Sequence, residues 1–206
     1  MPVDLEQFVR PDDPVLIKKA DSILPEQIGS GELESIIEQM LDIAYGKRDR
    51  TKAILVGLAA PQIGISKRLI LVDVLADGKG KTGDLRLYLN PEITFYSEEK
   101  EEWYEGCWST GRVCGIVSRP ATIRIKAVTR AGKEIVEEHH GYTARIIQHE
   151  IDHLDGIEFV THITDPEKLH WVDADQWVEY RDNEAWRNWP HKCSWDRWEE
   201  IKGIKH

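Results

Sequence analysis

Apolar residues recur along this chain at two different periods, and the change from one to the other marks out its parts. Leu33, Ile36, Ile37, Met40, Leu41 and Ala44 fall at i, i+3, i+4, i+7, i+8 and i+11, one side of a helix. Ser30 stands where its hydroxyl can cap the first turn, so the segment predicts an amphipathic helix laid over a core. A second stripe of Ala144, Ile147, Ile151 and Leu154 predicts a helix from near Tyr142 to a stop at Gly156.

Between the two stripes the period shortens. Ile54-Leu55-Val56 leads into the run Gly57 to Gly64, and Arg68 to Leu75 reads as a buried strand rich in Leu, Ile and Val. The Gly-, Lys- and Asp-rich interval from Asp77 to Asp84 is a turn or loop. Leu85, Leu87 and Leu89 then alternate with polar residues, and Asn90-Pro91 is expected to end that strand. Another segment runs from Ile93 through Trp103 to Ser109. A further strand shows Ile123, Ile125 and Ala127 alternating with Thr122, Arg124 and Lys126.

Neither end has such a period. Residues 1–29 carry Pro2, Pro11, Pro14 and Pro25 among charges, which predicts an extended arm anchored at Val15-Leu16-Ile17. Beyond Thr164, the rings of Trp171, Trp177, Trp186, Trp189, Trp195 and Trp198 are interleaved with charges. We read residues 1–163 as one unit, arm included, and 164–206 as a Trp-rich C-terminal extension whose rings are expected to pack back on it. An early helix, several short strands and a late helix imply an α+β fold, with small, mostly antiparallel sheets around the second helix.

Charge and cysteine usage narrow the function. The formal net charge of −10 leaves no basic stripe for many phosphates, so nucleic-acid binding is not expected as the main function. Three cysteines at irregular spacing do not form a disulfide framework and suit a reducing compartment. The N-terminus has no basic region followed by an apolar run, and no stretch has the length of a membrane span. A soluble, cytoplasmic protein is the expectation.

The chemistry concentrates in Gln148 to Gly156. On a helix, His149 and His153 stand one turn apart on a single face and can reach one cation, with Glu150 beside them. A carboxylate next to a metal-bound water is what metal-assisted hydrolysis requires. Two histidines do not close a site, and the third ligand is sought among Cys107, Cys114, His139, His140, His162 and His170. Cys107 is the strongest of these, because Glu105-Gly106 can bring backbone close to a ligand. A thiolate with two imidazoles also leaves one position open for water. Against it stands the usual fate of a lone cysteine, a small buried hydrophobe. His139 and His140 lie just before the helix and would point away from His149.

Three separated segments, Gly57-Leu58-Ala59-Ala60-Pro61-Gln62, Glu105-Gly106-Cys107-Trp108-Ser109 and Gln148-His149-Glu150-Ile151-Asp152-His153, resemble the three signature motifs of peptide deformylases, in the same order and at similar intervals. The resemblance spans roughly Val15 to Ile163 and implies the same α+β fold. It implies that Cys107, His149 and His153 bind one divalent metal, Fe(II) in the native form with Zn, Ni or Co as substitutes. Glu150 would be general base and acid. The Gln62 side-chain amide and the Trp108 backbone N–H would donate to the formyl oxygen. Gly57 and Gly106 are the implied backbone contacts to substrate. The reaction so implied is hydrolysis of the formyl group from N-formylmethionyl peptides or nascent proteins, releasing formate, with the ribosome as a partner to be considered.

This chain departs from the family pattern at several positions. Leu55 stands where the first motif usually begins with glycine, and Trp108 replaces the usual leucine after the cysteine. Thr110-Gly111-Arg112-Val113-Cys114-Gly115 replaces an apolar residue, proline and glycine. Arg112 is a candidate contact for the substrate's backbone or carboxylate, weighed against an ordinary solvated arginine. Glu105 is a candidate partner for a ligand histidine. Two other functions compete: a zinc metalloprotease of the His-Glu-x-x-His type, and a non-enzymatic domain of the same fold that binds metal or peptides.

Overall fold

Both predicted helices form, and the sheets that enclose the second come from more of the chain than the hydrophobic pattern marks. The computed structural model describes residues 5–46 and 53–204. The first four residues of the arm, Pro2 among them, and the last two of the tail lie outside the described residues.

Helix α1 runs Gly31–Tyr45, with the Ser30 hydroxyl accepting from the Leu33 N–H at 3.3 Å and left-handed Gly46 ending it. It buries Leu33, Ile37, Met40, Ile43 and Ala44. The strands are β1 (Gly57–Ala59), β2 (Leu69–Asp73), β3 (Leu85–Tyr96), β4 (Lys100–Gly106), β5 (Val113–Pro120), β6 (Thr122–Val128), β7 (Glu134–His140) and β8 (Leu169–Trp171). Helix α2 occupies Gly141–Asp155 and is stopped by left-handed Gly156. Short helices α3 (Trp177–Arg181) and α4 (Trp195–Ile201) lie in the tail.

Two antiparallel sheets result, one in the order β1-β2-β3-β6-β7 and one in the order β4-β5-β8. Helix α2 packs against both, which is the α+β arrangement expected. The buried strand β2, Leu69-Ile70-Leu71-Val72-Asp73, separates two aliphatic clusters. Leu69 and Leu71 join α1, while Ile70 and Val72 join Ala144, Ile147, Ile151 and Leu154 of α2.

Several boundaries differ from the sequence pattern. The first short strand begins at Gly57, after the apolar run Ile54-Leu55-Val56. Leu55 instead sits in the α1 cluster. Asn90-Pro91 does not end β3. Leu89 faces Val128 and Glu92 faces Lys126, so one extra residue is accommodated as a bulge. Asn90 takes φ 48° there, and its side chain holds both backbone groups of Ile23 in the arm, at 2.7 and 2.8 Å. Within the arm the anchor is Leu16, fully buried, while Ile17 is exposed. Backbone bonds from Val9 to Gln62 and from Ala20 to Leu154 lay the arm along the segments that carry the site.

The tail packs inward. β8 pairs with β5, and Tyr180, Trp186 and Trp189 are buried against Tyr104, Cys114 and Ile116. Trp198 joins Phe159 and Val113.

Candidate active site

Three elements bring the candidate residues together. β4 ends at Gly106 and delivers Cys107, α2 presents His149 and His153, and the tight turn after β1, Ala60–Ile63, carries Gln62. The Cys107 sulfur and one ring nitrogen from each histidine all lie within 4.8 Å of one another. The His153 Nε2 is 3.2 Å from the Cys107 sulfur, and the Gln62 Nε2 donates to the same sulfur at 3.1 Å. The Gln62 Oε1 accepts from the Ala59 N–H at 2.6 Å, which fixes which end of the amide faces the cysteine.

The electrostatics follow from this packing. Burial alone would raise the Cys107 thiol, but the imidazoles of His153 and His149 outweigh it and hold the group well below the ordinary thiol range. Burial lifts the Glu150 carboxyl to about 7, with partial compensation from the same two histidines. One Glu150 oxygen, Oε2, is buried without a hydrogen-bond partner among the described residues. A thiolate, two imidazoles and an unpartnered buried carboxylate oxygen fit a divalent metal with an attached water.

Glu105 holds one side of the cluster. Its Oε2 accepts from the His149 Nδ1 at 2.9 Å, and Arg119 grips the carboxylate with two bonds at 2.6 and 2.9 Å. Arg145 adds a third at 2.8 Å, and Arg119 also reaches Asp152 at 2.7 Å. Burial disfavours the Glu105 charge, yet Arg119 and His149 keep its carboxyl well below the usual range. Arg119 and Arg145 carry no motif signal. The available clue is that Arg119 lies on the inward side of β5, in register with Val113, Gly115 and Val117, where an arginine needs a buried anion.

The other singled-out positions are placed as follows. A Cβ at Gly57 would come within 2.2 Å of the Glu150 Oε1, so this glycine leaves room for the carboxylate. At Gly106 a Cβ would meet Trp177 at 2.8 Å and the Cys114 sulfur at 2.9 Å. The Trp108 ring turns toward Phe8 in the arm, at 6.1 Å between centroids. Arg112 is half exposed, is ion-paired with Asp173, and lies 6.0 Å from the Trp171 ring. The Thr110 hydroxyl lies 3.0 Å from the carbonyls of both Cys107 and Val113 and braces the turn after the cysteine. Cys114 is buried, which raises its thiol above the ordinary range. His139 sits against Glu137 in β7, and His170 lies in the tail beside Tyr180.

This geometry has counterparts in known proteins. The family model for polypeptide deformylase matches residues 5–169. The peptide deformylase of Natranaerobius thermophilus is 42% identical over 149 residues, covering 72% of this chain and 86% of that protein. The crystal structure of the Met-Ala-Ser-bound class I type b peptide deformylase from Acinetobacter baumannii superimposes with a TM-score of 0.67 at 30% identity, over 75% of this chain and 96% of that one. A probable peptide deformylase from Synechococcus phage S-SSM7 gives 0.63 at 34% identity, over 76% and 98%. With the three motifs folded around one thiolate-imidazole cluster and the match extending over most of its length, the chain belongs to the peptide deformylase family.

Proposed function

We propose that this chain hydrolyses the N-formyl group of formyl-methionyl peptides and nascent proteins, with Cys107, His149 and His153 holding the metal and Glu150 carrying the proton. The observation that carries this reading is the meeting of three ligand atoms within 4.8 Å, with a buried Glu150 oxygen that has no partner among the described residues. We take Fe(II) as the native metal from the resemblance to the family, with Zn, Ni or Co as substitutes that the same thiolate and two imidazoles would also hold. When bound, the metal supplies Lewis acidity and a water acidified toward neutrality.

The protein's own groups do the rest. Glu150 takes the water's proton and returns it to the amine nitrogen as the C–N bond of the formamide breaks, giving formate and a free N-terminus. A carboxyl lifted to about 7 by burial is suited to both transfers. The second N–H of the Gln62 amide and the Trp108 backbone N–H receive the negative charge that develops on the formyl oxygen. Gln62 is held for this task by its bond from Ala59. Glu105 holds His149 in the tautomer that leaves Nε2 for the metal. Backbone at Gly57 and Gly106 would line the peptide, and Arg112, already paired with Asp173, would stand farther along it.

In this reading residues 1–163 form the catalytic unit and 164–206 an extension of it. The encounter with substrate would take place in the cytoplasm, at chains emerging from the ribosome. Among the described residues, no helix is long and apolar enough to cross a membrane. The test is formate release from formyl-Met-Ala-Ser, assayed anaerobically with Fe(II). Absence of formate together with cleavage of an internal peptide bond would overturn the reading in favour of a metalloprotease.

A further inference from the structure

The two ligand histidines are not supported alike. His149 has a carboxylate on its Nδ1, whereas the His153 Nδ1 is buried without a hydrogen-bond partner among the described residues. His153 turns its Nε2 toward Cys107, so Nδ1 faces away from the cluster and carries the ring's remaining hydrogen when Nε2 serves as ligand.

A second buried atom is unpartnered among the described residues. The Oε1 of Glu158 has no hydrogen-bond partner among the described residues, although the side chain is almost fully enclosed. Its Oε2 is 2.8 Å from the Lys202 ammonium, itself enclosed at the end of α4. Lys202 also donates to the Pro11 carbonyl of the arm.

The chain path keeps Glu158 near the histidine pair. Left-handed Gly156 reverses the chain at the end of α2, and the Ile157 N–H returns to the Asp152 carbonyl at 2.9 Å. A Cβ at Gly156 would strike Ile17 backbone at 2.7 Å, so the turn is pinned against the arm. Phe159, next along, stacks on the His149 ring at 5.9 Å between centroids. Glu158, next to Phe159 in sequence, is within electrostatic reach of both His153 and Cys107.

We propose that Glu158, held by Lys202 of the C-terminal extension, is the positioning residue for His153, its Oε1 accepting the His153 Nδ1–H across one bridging water. A buried donor and a buried acceptor left unpaired would each carry a desolvation cost that one water can remove. The extension is then part of the metal centre's support, and Glu158 does for His153 what Glu105 does for His149.

The inference rests on the metal reading given above. Its test is the affinity of the full-length protein for Co(II), by chelator competition, together with the Co(II) absorption spectrum and the melting temperature. Cys107→Ser should abolish tight binding. If it does not, the cluster is not the metal site, and that reading fails together with this inference. Glu158→Leu should weaken Co(II) binding about 10- to 100-fold and shift the visible bands. The double variant E158L/K202M replaces a buried ion pair with apolar side chains and should regain thermal stability. It should keep the weakened affinity and the shifted spectrum. A double variant that binds Co(II) as the unmodified protein does, with the same spectrum, would reduce Glu158 to an ordinary structural ion pair and overturn the proposal.

Discussion

The two sheets that enclose α2 are built from different materials. The five-stranded sheet is held by aliphatic side chains, with Leu69, Ile70, Leu71 and Val72 of β2 buried on both faces. The three-stranded sheet is held largely by rings, with Trp103, Tyr104, Trp177, Tyr180, Trp186 and Trp189 in one cluster. Each sheet supports a different half of the proposed chemistry. The aliphatic sheet leads into Gln62 and leaves the space at Gly57 that Glu150 occupies. The aromatic sheet delivers Cys107 and the Glu105–Arg119 pair. Proton transfer and metal retention should therefore respond separately to damage on the two sides.

Glu150→Gln removes the proposed proton carrier while conserving shape. We expect kcat to fall roughly 10³-fold, within the usual range for a general acid–base residue, with metal content unchanged. Comparable metal loss would show that Glu150 is also needed to hold the ion, and the division between the sides would blur.

On the aromatic side, Trp186→Ala deletes a ring that is 1% exposed and lies 5.4 Å from Trp103 and 5.9 Å from Tyr104. The expected cost is about 3–5 kcal/mol, a fall of roughly 10 °C in melting temperature by scanning calorimetry. An unchanged melting temperature would mean that the tail contributes nothing to the stability of the sheet it covers.

Gly57→Ala sharpens the contrast from the aliphatic side. The added carbon would sit 2.2 Å from the Glu150 Oε1 and 2.8 Å from Ile146 Cγ2, so the carboxylate must move. A displacement of about 1 Å predicts a loss of about 10² in kcat with metal stoichiometry preserved. Full activity in this variant would place the functional position of Glu150 elsewhere.

The same contrast governs what could be read from the sequence. The aliphatic half announces itself: the stripes of α1 and α2 and the alternation in β3 and β6 are periodic, and the Ser30 cap is where the pattern puts it. β5 and β7 do not. β5 mixes Cys114, Gly115, Ser118 and Arg119 with its valines, and β7 is an edge strand of Glu and His in which Val136 points outward. Each is set in register by a hairpin with the strand just before it, β5 with β4 and β7 with β6, so neither needs an apolar alternation of its own. Cys107 and the two histidines could be picked from the sequence as a group, because metal chemistry restricts ligand types, and the fold does bring them together. Arg119, Arg145 and the Glu158–Lys202 pair were not, since they compensate buried charge whose location only the folded chain reveals. The Asn90-Pro91 stop failed for a related reason, because the bulge that absorbs the proline is bought by the bonds from Asn90 to the arm.

The smallest effect expected lies in the aromatic half and depends on pH. His170 is fully buried, with Nδ1 3.0 Å from the Tyr180 hydroxyl and Nε2 3.1 Å from the Glu167 carbonyl. Neutral imidazole satisfies both contacts, accepting from the tyrosine and donating to the carbonyl. Burial, aided by nearby Lys192, pushes the His170 pKa down to about 4 from the ordinary 6.5. Because the folded value is depressed, the stability gained by keeping this ring neutral is fully present above pH 6.5 and is lost as pH falls from there through about 4. His170→Gln should melt lower than the unmodified protein at pH 7, and the gap should narrow steadily between pH 6.5 and 4.5. A gap that stays constant across that interval would show that His170 does not couple acid to the aromatic sheet, leaving the loss of acid stability to other groups.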